Sequence, residues 1–118
     1  MLIAKNLKID KKVKGGAGLK KEVIIQTEDV KVRVIELRPG EVAPFHRHTE
    51  VTDNIFGISG EMTVIMKNPD ENKVLTPGTH CKIEIDRVHQ VINNRQTEGS
   101  KYLLIQGIGK YDFIRENA

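Results

Sequence analysis

From Val23 onward, short runs of β-branched residues recur between clusters of turn formers, and no stretch keeps a helical period. Successive side chains in a strand point to opposite faces, so apolar residues at every second position mark a strand with one covered face. Val30, Val32 and Val34 keep that alternation until Pro39-Gly40 ends the run. Extended chain resumes from Ala43 to His48 and bends over Thr49 to Thr52. Asn54 to Ser59 and Met62 to Met66 flank Gly60-Glu61. This predicts a hairpin at the middle of the sheet, because glycine tolerates the positive φ of a tight connection. Two turn signals follow, Asn68-Pro69-Asp70-Glu71-Asn72 and Thr76-Pro77-Gly78, with Lys73 to Leu75 as a short strand between them. Cys81, Ile83 and Ile85 then share one face opposite Lys82 and Glu84, Val88 to Ile92 follows, and Asn93 to Ser100 forms a polar loop. Tyr102 to Ile108 is the last apolar strand, and Lys110 to Ile114 extends it or covers an edge. About eight to ten short strands between close-spaced turns predict an all-β, jelly-roll double sheet.

Length and composition narrow the class. A chain of 118 residues has the size of one domain, with residues 1–22 as an N-terminal arm or edge strand. With 38% hydrophobic and 30% charged residues it is too apolar to stay disordered. No run reaches the roughly 18 apolar residues of a membrane span, and the start lacks a secretory signal, so no membrane partner and a cytoplasmic address are expected. Cys81 is the only cysteine, which excludes an internal disulfide and reads as a small buried hydrophobe rather than a catalytic thiol. The net charge of +3 includes a lysine-rich N-terminal segment from Lys5 to Lys21. It has no interleaved aromatics, so a solvated arm is expected and no nucleic-acid partner. Gly15-Gly16-Ala17-Gly18 precedes no helix and reads as a loop rather than a phosphate cradle.

The candidate chemistry lies in the histidines. His46 and His48 are two apart in extended chain and so share a face, with Asp53 shortly beyond and His89 on a later strand. Three imidazoles and a carboxylate suit a divalent transition metal: Fe, Mn, Ni, Zn or Cu. Glu50 keeps the parity of His46 and His48 if the strand runs unbroken, and so competes with Asp53. His80 follows a turn and is expected on the surface.

These positions resemble the two motifs of the cupins. Gly40, five residues, His46-Arg47-His48, four residues, Asp53, six residues and Gly60 are similar to the first. Gly78, five residues, Glu84, one residue, Asp86, two residues, His89, three residues and Asn93 are similar to the second. The resemblance implies a double-stranded β-helix, or cupin barrel, with metal ligands His46, His48, Asp53 and His89. Two positions depart from the pattern. Asp53 stands where the family has glutamate, so its strand must sit closer or a water must bridge, and Glu84 and Asp86 replace proline and glycine. Asp86, itself a turn former, is expected to support a similar bend. Asp53, Ile55, Gly57 and Ser59 share a face, and relatives often carry a bulky aromatic where this chain has Gly57, which predicts a roomier pocket there. Ser59, Gln90 and Asn93 are candidates for polar contacts to a ligand.

Small cupins, as the resemblance implies, include dioxygenases, isomerases and lyases that act on small oxygen-bearing organic substrates. No general base is assigned by spacing, Glu84 being the one outside candidate. The alternative is a non-catalytic module that binds or senses a small ligand through its metal. A homodimer is expected, formed through an edge strand from Leu2 to Ile9 or from Val23 to Gln26.

Overall fold

The computed structural model describes residues 20–117, so the glycine-rich loop and the Leu2 to Ile9 segment lie outside the described residues. Ten strands are present among the described residues. They are β1 (Lys20–Gln26), β2 (Val30–Leu37), β3 (His46–Arg47), β4 (Thr52–Ser59), β5 (Met62–Met66), β6 (Glu71–Leu75), β7 (His80–Ile83), β8 (His89–Asn93), β9 (Ser100–Gly107) and β10 (Ile114–Arg115). They form two five-stranded sheets in the orders β1-β2-β9-β4-β7 and β10-β3-β8-β5-β6, and the pairing is antiparallel throughout. The core lies between the sheets. Ile35, Leu37, Ile55, Ile83 and Leu104 come from the first sheet, Met62, Val64, Met66, Leu75 and Val91 from the second.

The expected hairpin about Gly60-Glu61 is absent. β4 pairs with β7 and β9, and β5 pairs with β6 and β8, so this connection is a corner between sheets. Gly60 does adopt a positive φ of 78°, the conformation the residue was expected to allow. A two-residue corner and a two-residue hairpin make the same local demand, and long-range pairing decides between them. β5 instead forms a hairpin with β6 across the Asn68-Pro69 turn, as β1 does with β2.

The valine alternation on β2 also takes a second meaning. Val30, Val32 and Val34 are half-buried on one face, while Arg33, Ile35 and Leu37 form the buried one. An arginine therefore points toward the interior on the same parity as two core residues. Cys81 is buried among the core residues, and that burial pushes its thiol up, away from reactivity. Ile85 leaves the face of Cys81 and Ile83 because β7 ends at Ile83, and it is exposed.

Two residues expected to contact a ligand hold the fold instead, and a third faces outward. Asn93 is buried, and its amide donates to the carbonyls of Leu37, Arg38 and Glu98 at 3.3, 2.7 and 3.0 Å. Its oxygen accepts from the Arg95 N–H and the Ser100 hydroxyl at 3.0 and 2.7 Å. Gln90 donates to the Ala43 carbonyl at 3.0 Å, and Ser59 is exposed. Asn93→Ala leaves several buried polar groups without partners, so a loss of about 2–3 kcal/mol is expected in urea unfolding. A loss below about 0.5 kcal/mol would contradict this role.

Candidate metal centre

β3 and β8 lie side by side with His46 opposite His89 in register, their ring centroids 4.3 Å apart. His48 follows just beyond β3, on the same side as His46. Asp53 comes from the other sheet, on β4, so the four side chains meet between the sheets. His48, Asp53 and His89 are buried, while His46 is half-buried. The four sequence-selected residues come together: one ligand atom from each lies within 4.8 Å of the others. Two metal bonds of about 2.1 Å span at most about 4.2 Å, so the widest separation has to close by roughly half an ångström.

The ring orientations are set from outside the cluster. Nδ1 of His46, His48 and His89 faces the backbone carbonyls of Pro44, Asp112 and Arg87 at 2.8, 2.6 and 2.7 Å. A carbonyl only accepts, so each Nδ1 carries the proton and each neutral ring turns its Nε2 lone pair inward. Nε2 of His48 and of His89 stands 3.3 and 3.1 Å from Asp53 Oδ2. A neutral imidazole lone pair against a carboxylate is an acceptor facing an acceptor. Something positive has to lie between them, either a proton on the ring or a metal ion. The donor set thus fits a divalent cation, and Asp53 reaches the rings despite its short side chain.

The charge states follow from these neighbours. Burial, with the nearby His89 ring adding to it, pulls His46 down to about 3, so the ring is neutral over the whole neutral range. For His48 burial again opposes the charge, but the hydrogen bond and charge of Asp53 outweigh it and the ring is raised above its usual value. Burial would raise the Asp53 carboxyl, yet His48 and His89 hold it well below the usual carboxylate range.

Further residues complete the site. Gln106 on β9 donates from Nε2 to Asp53 Oδ1 at 3.0 Å and lies 3.3 Å from His48 Nε2. Arg33 Nη2 donates to Gln106 Oε1 at 2.7 Å, which fixes which way that amide points. The C-terminal segment crosses from the first sheet to the edge of the second, where β10 pairs with β3. On the way it stacks Phe113 on His46, with centroids 4.3 Å apart and planes 14° from parallel, and brings Tyr111 near His48. Asp112 secures it by accepting from the Thr49 N–H at 2.8 Å and from the Thr49 hydroxyl. The tail therefore covers an edge, one of its two expected roles. Gln106 was detectable as the polar interruption of the inward series Tyr102, Leu104, Gln106. Asp112 acts partly through its backbone and leaves no such trace.

The other expectations resolve by geometry. Glu50 is exposed and outside the cluster because β3 ends at Arg47 and the chain bends at Thr49-Glu50. His80 is exposed, bonded to Asn54 Oδ1 at 2.8 Å and stacked on Phe56. Glu84 is exposed and lies 3.7 Å from Lys82 Nζ, which removes it as a base in the site. Asp86 takes the left-handed conformation, φ 65°, that a glycine would supply, and its N–H donates to the His48 carbonyl at 2.7 Å. The bend before His89 survives the substitution for that reason. Gly57 makes no pocket. A Cβ there would stand 2.2 Å from the Thr76 carbonyl oxygen, so the missing side chain admits backbone rather than ligand.

The open space lies on the other side of the histidines, in a cavity of about 220 Å³ lined by His46, His48, Arg33, Tyr102, Gln106 and Tyr111 among others. A cavity of 310 Å³ nearby shares Gln106 and Tyr111 but touches none of the four clustered residues. Of these two, the first is the one that touches the cluster, at His46 and His48.

The family model for the cupin domain matches residues 33–105, well over half of the chain, and the chain belongs to the cupins. Its structure is similar to a protein with a double-stranded β-helix domain from Klebsiella pneumoniae subsp. pneumoniae MGH 78578, at 24% identity and a TM-score of 0.74, covering 92% of this chain and 95% of that one. The polyketide cyclase RemF from Streptomyces resistomycificus is similar at 14% identity and a TM-score of 0.75, over 91% and 77%. A sugar phosphate isomerase of the cupin superfamily from Silicibacter pomeroyi is similar at 14% identity and a TM-score of 0.68, over 86% and 78%. At these identities the likeness is one of fold, and it is the double-stranded β-helix expected from the motifs. No curated protein sequence matches the chain.

Proposed function

We propose that His46, His48, Asp53 and His89 hold one divalent transition metal, and that the protein is a metalloenzyme acting on a small oxygen-bearing organic substrate. The observation that carries this reading is the set of three Nδ1–H anchors, which turn three Nε2 atoms inward, those of His48 and His89 standing 3.3 and 3.1 Å from Asp53 Oδ2. When bound, the metal supplies Lewis-acid polarisation of a carbonyl or enolate oxygen, the chemistry of a dioxygenase, isomerase or lyase site. The chain's own residues do the rest. His46 and His48 face the cavity, so a ligand entering there meets the cluster directly. Phe113 stacks on the His46 ring and Tyr111 lies against His48, and Gln106 holds Asp53 in place. Support for catalysis comes from similar folds that carry the names of a cyclase and an isomerase.

The alternative, a metal-dependent binding or sensing module, is favoured by one feature. Burial raises both cavity phenols, Tyr102 and Tyr111, so neither is a base at neutral pH. Oxygen consumption or product formation with small diketones, thiols and phenols separates the two. Homodimer formation through β1, which exposes Ile24 and Ile25, and a cytoplasmic location belong to the same proposal.

Elemental analysis of protein purified without an affinity tag is expected to return one transition-metal equivalent. Returning metal to chelator-stripped protein is expected to stabilise it by about 3 kcal/mol at a hundredfold excess over Kd. No equivalent and no stabilisation by any of Fe, Mn, Ni, Zn or Cu would leave only the fold.

A further inference from the structure

Arg33 is an unusual residue to find inside this barrel. It is 7% exposed, and a buried charge is costly unless paired. Its Nη2 donates to the neutral Gln106 amide, its Nε finds no hydrogen-bond partner, and among the described residues no carboxylate lies within ion-pair distance of it. Burial keeps the Tyr102 and Tyr111 phenols in their neutral form, so they do not serve as its counter-ion. Arg115 lines the same cavity, and among the described residues no aspartate or glutamate does. Lys31, with Nζ 3.7 Å from the Tyr111 ring centroid, is lowered to about 8, first by burial and then by the charges of Arg33 and Lys21. Lys31 lines the neighbouring cavity and senses the charge of Arg33, the buried guanidinium that, with Arg115, makes this cavity electropositive; among the described residues no carboxylate lines it.

We infer that this cavity is a subsite for the carboxylate of a small organic acid, with Arg33 as the buried counter-ion beside the histidine cluster. The inference deepens the metal-centre reading and rests on it for the second half of the substrate. Gln106 joins the two parts, touching Arg33 on one side and both His48 and Asp53 on the other. A divalent ion on the cluster exceeds the single charge of Asp53, which adds positive charge to the same space. An acid whose carboxylate pairs with Arg33 can then present a second oxygen, a carbonyl or hydroxyl, toward His46 and His48. The volume of about 220 Å³ is below the roughly 300–1,000 Å³ of pockets for drug-sized ligands, so the acid is small.

The test is equilibrium binding of acetate, pyruvate and malonate, with neutral pyruvamide and inorganic phosphate as comparators, to metal-loaded and metal-free full-length protein. Pyruvate is expected to bind at least about tenfold more tightly than pyruvamide in both forms, because the guanidinium supplies the difference. Arg33→Met is expected to lower pyruvate affinity at least about tenfold, to leave pyruvamide unchanged and not to lower the unfolding midpoint. Equal affinity for pyruvate and pyruvamide, wild-type affinity in Arg33→Met, binding of phosphate but no carboxylate, or no acid bound more tightly than about 10 mM would each overturn it. If Arg33→Met does not fold, the wild-type pyruvate-to-pyruvamide ratio decides alone. If the protein takes up none of these metals when they are supplied and still discriminates, the metal reading fails and this one stands. A metal-loaded protein without discrimination does the reverse.

Discussion

The double variant His46→Ala/His48→Ala is expected to lose its stoichiometric metal while keeping a cooperative unfolding transition. Loss of one outer partner of a metal ligand typically costs about 10–100-fold in affinity, and two inner imidazoles remove far more than that. The two left behind, His89 and Asp53, stand 3.1 Å apart and form an ion pair or a protonated hydrogen bond rather than a metal site. The fold should survive because His46 is half-buried and pairs in a two-residue strand, and neither histidine belongs to the hydrophobic core. Metal content by mass spectrometry and thermal unfolding on the same preparation check both halves. A full equivalent retained in the double variant would sink the site. In the wild type, protons are expected to compete with the proposed metal at His48. Its folded value lies above 6.5, so the ring gains a proton as pH falls through that value, and metal affinity should drop by about tenfold per pH unit below it. His46, at about 3, adds nothing to that slope above pH 4.

What could be read from the chain was what is local. Turns at Pro39-Gly40 and Thr76-Pro77-Gly78 and the alternation of Cys81 with Ile83 depend on residues within a few positions, and each stands where the pattern put it. The spacing of His46, His48, Asp53 and His89 also sufficed, because three strands, β3, β4 and β8, and their parity bring them to one interior. Partner choice was not local: nothing in Asn54 to Met66 says that β4 pairs with β9 rather than β5. Arg33, Gln106, Tyr111 and Phe113 were missed for a related reason. Each is ordinary on its own strand or tail and gains meaning only when β2, β9 and the C-terminal segment converge beside the histidines.

Gly57→Val is expected to be among the most destabilising single substitutions. The Cβ position at residue 57 lies 2.2 Å from the oxygen and 2.8 Å from the carbon of the Thr76 carbonyl, both backbone atoms that cannot rotate aside. The turn over Thr76 to Thr79 is also tied down. Gly57 N–H donates to the Thr79 carbonyl at 3.0 Å, Gly78 N–H to the Gly57 carbonyl at 2.9 Å and Thr79 N–H to the Thr76 carbonyl at 2.9 Å. Moving the turn away to admit a side chain breaks those bonds, and keeping them forces the overlap. Valine combines overpacking with lost buried hydrogen bonds, and a cost of about 4 kcal/mol follows. For a chain of this size that is a fall of roughly 20 °C in Tm, against no more than about 0.5 kcal/mol for the exposed Ser59→Ala two positions on. A Gly57→Val midpoint within about 5 °C of wild type would show that the turn retreats freely. The space beside residue 57 would then be available to a ligand after all, as the family's pattern suggested.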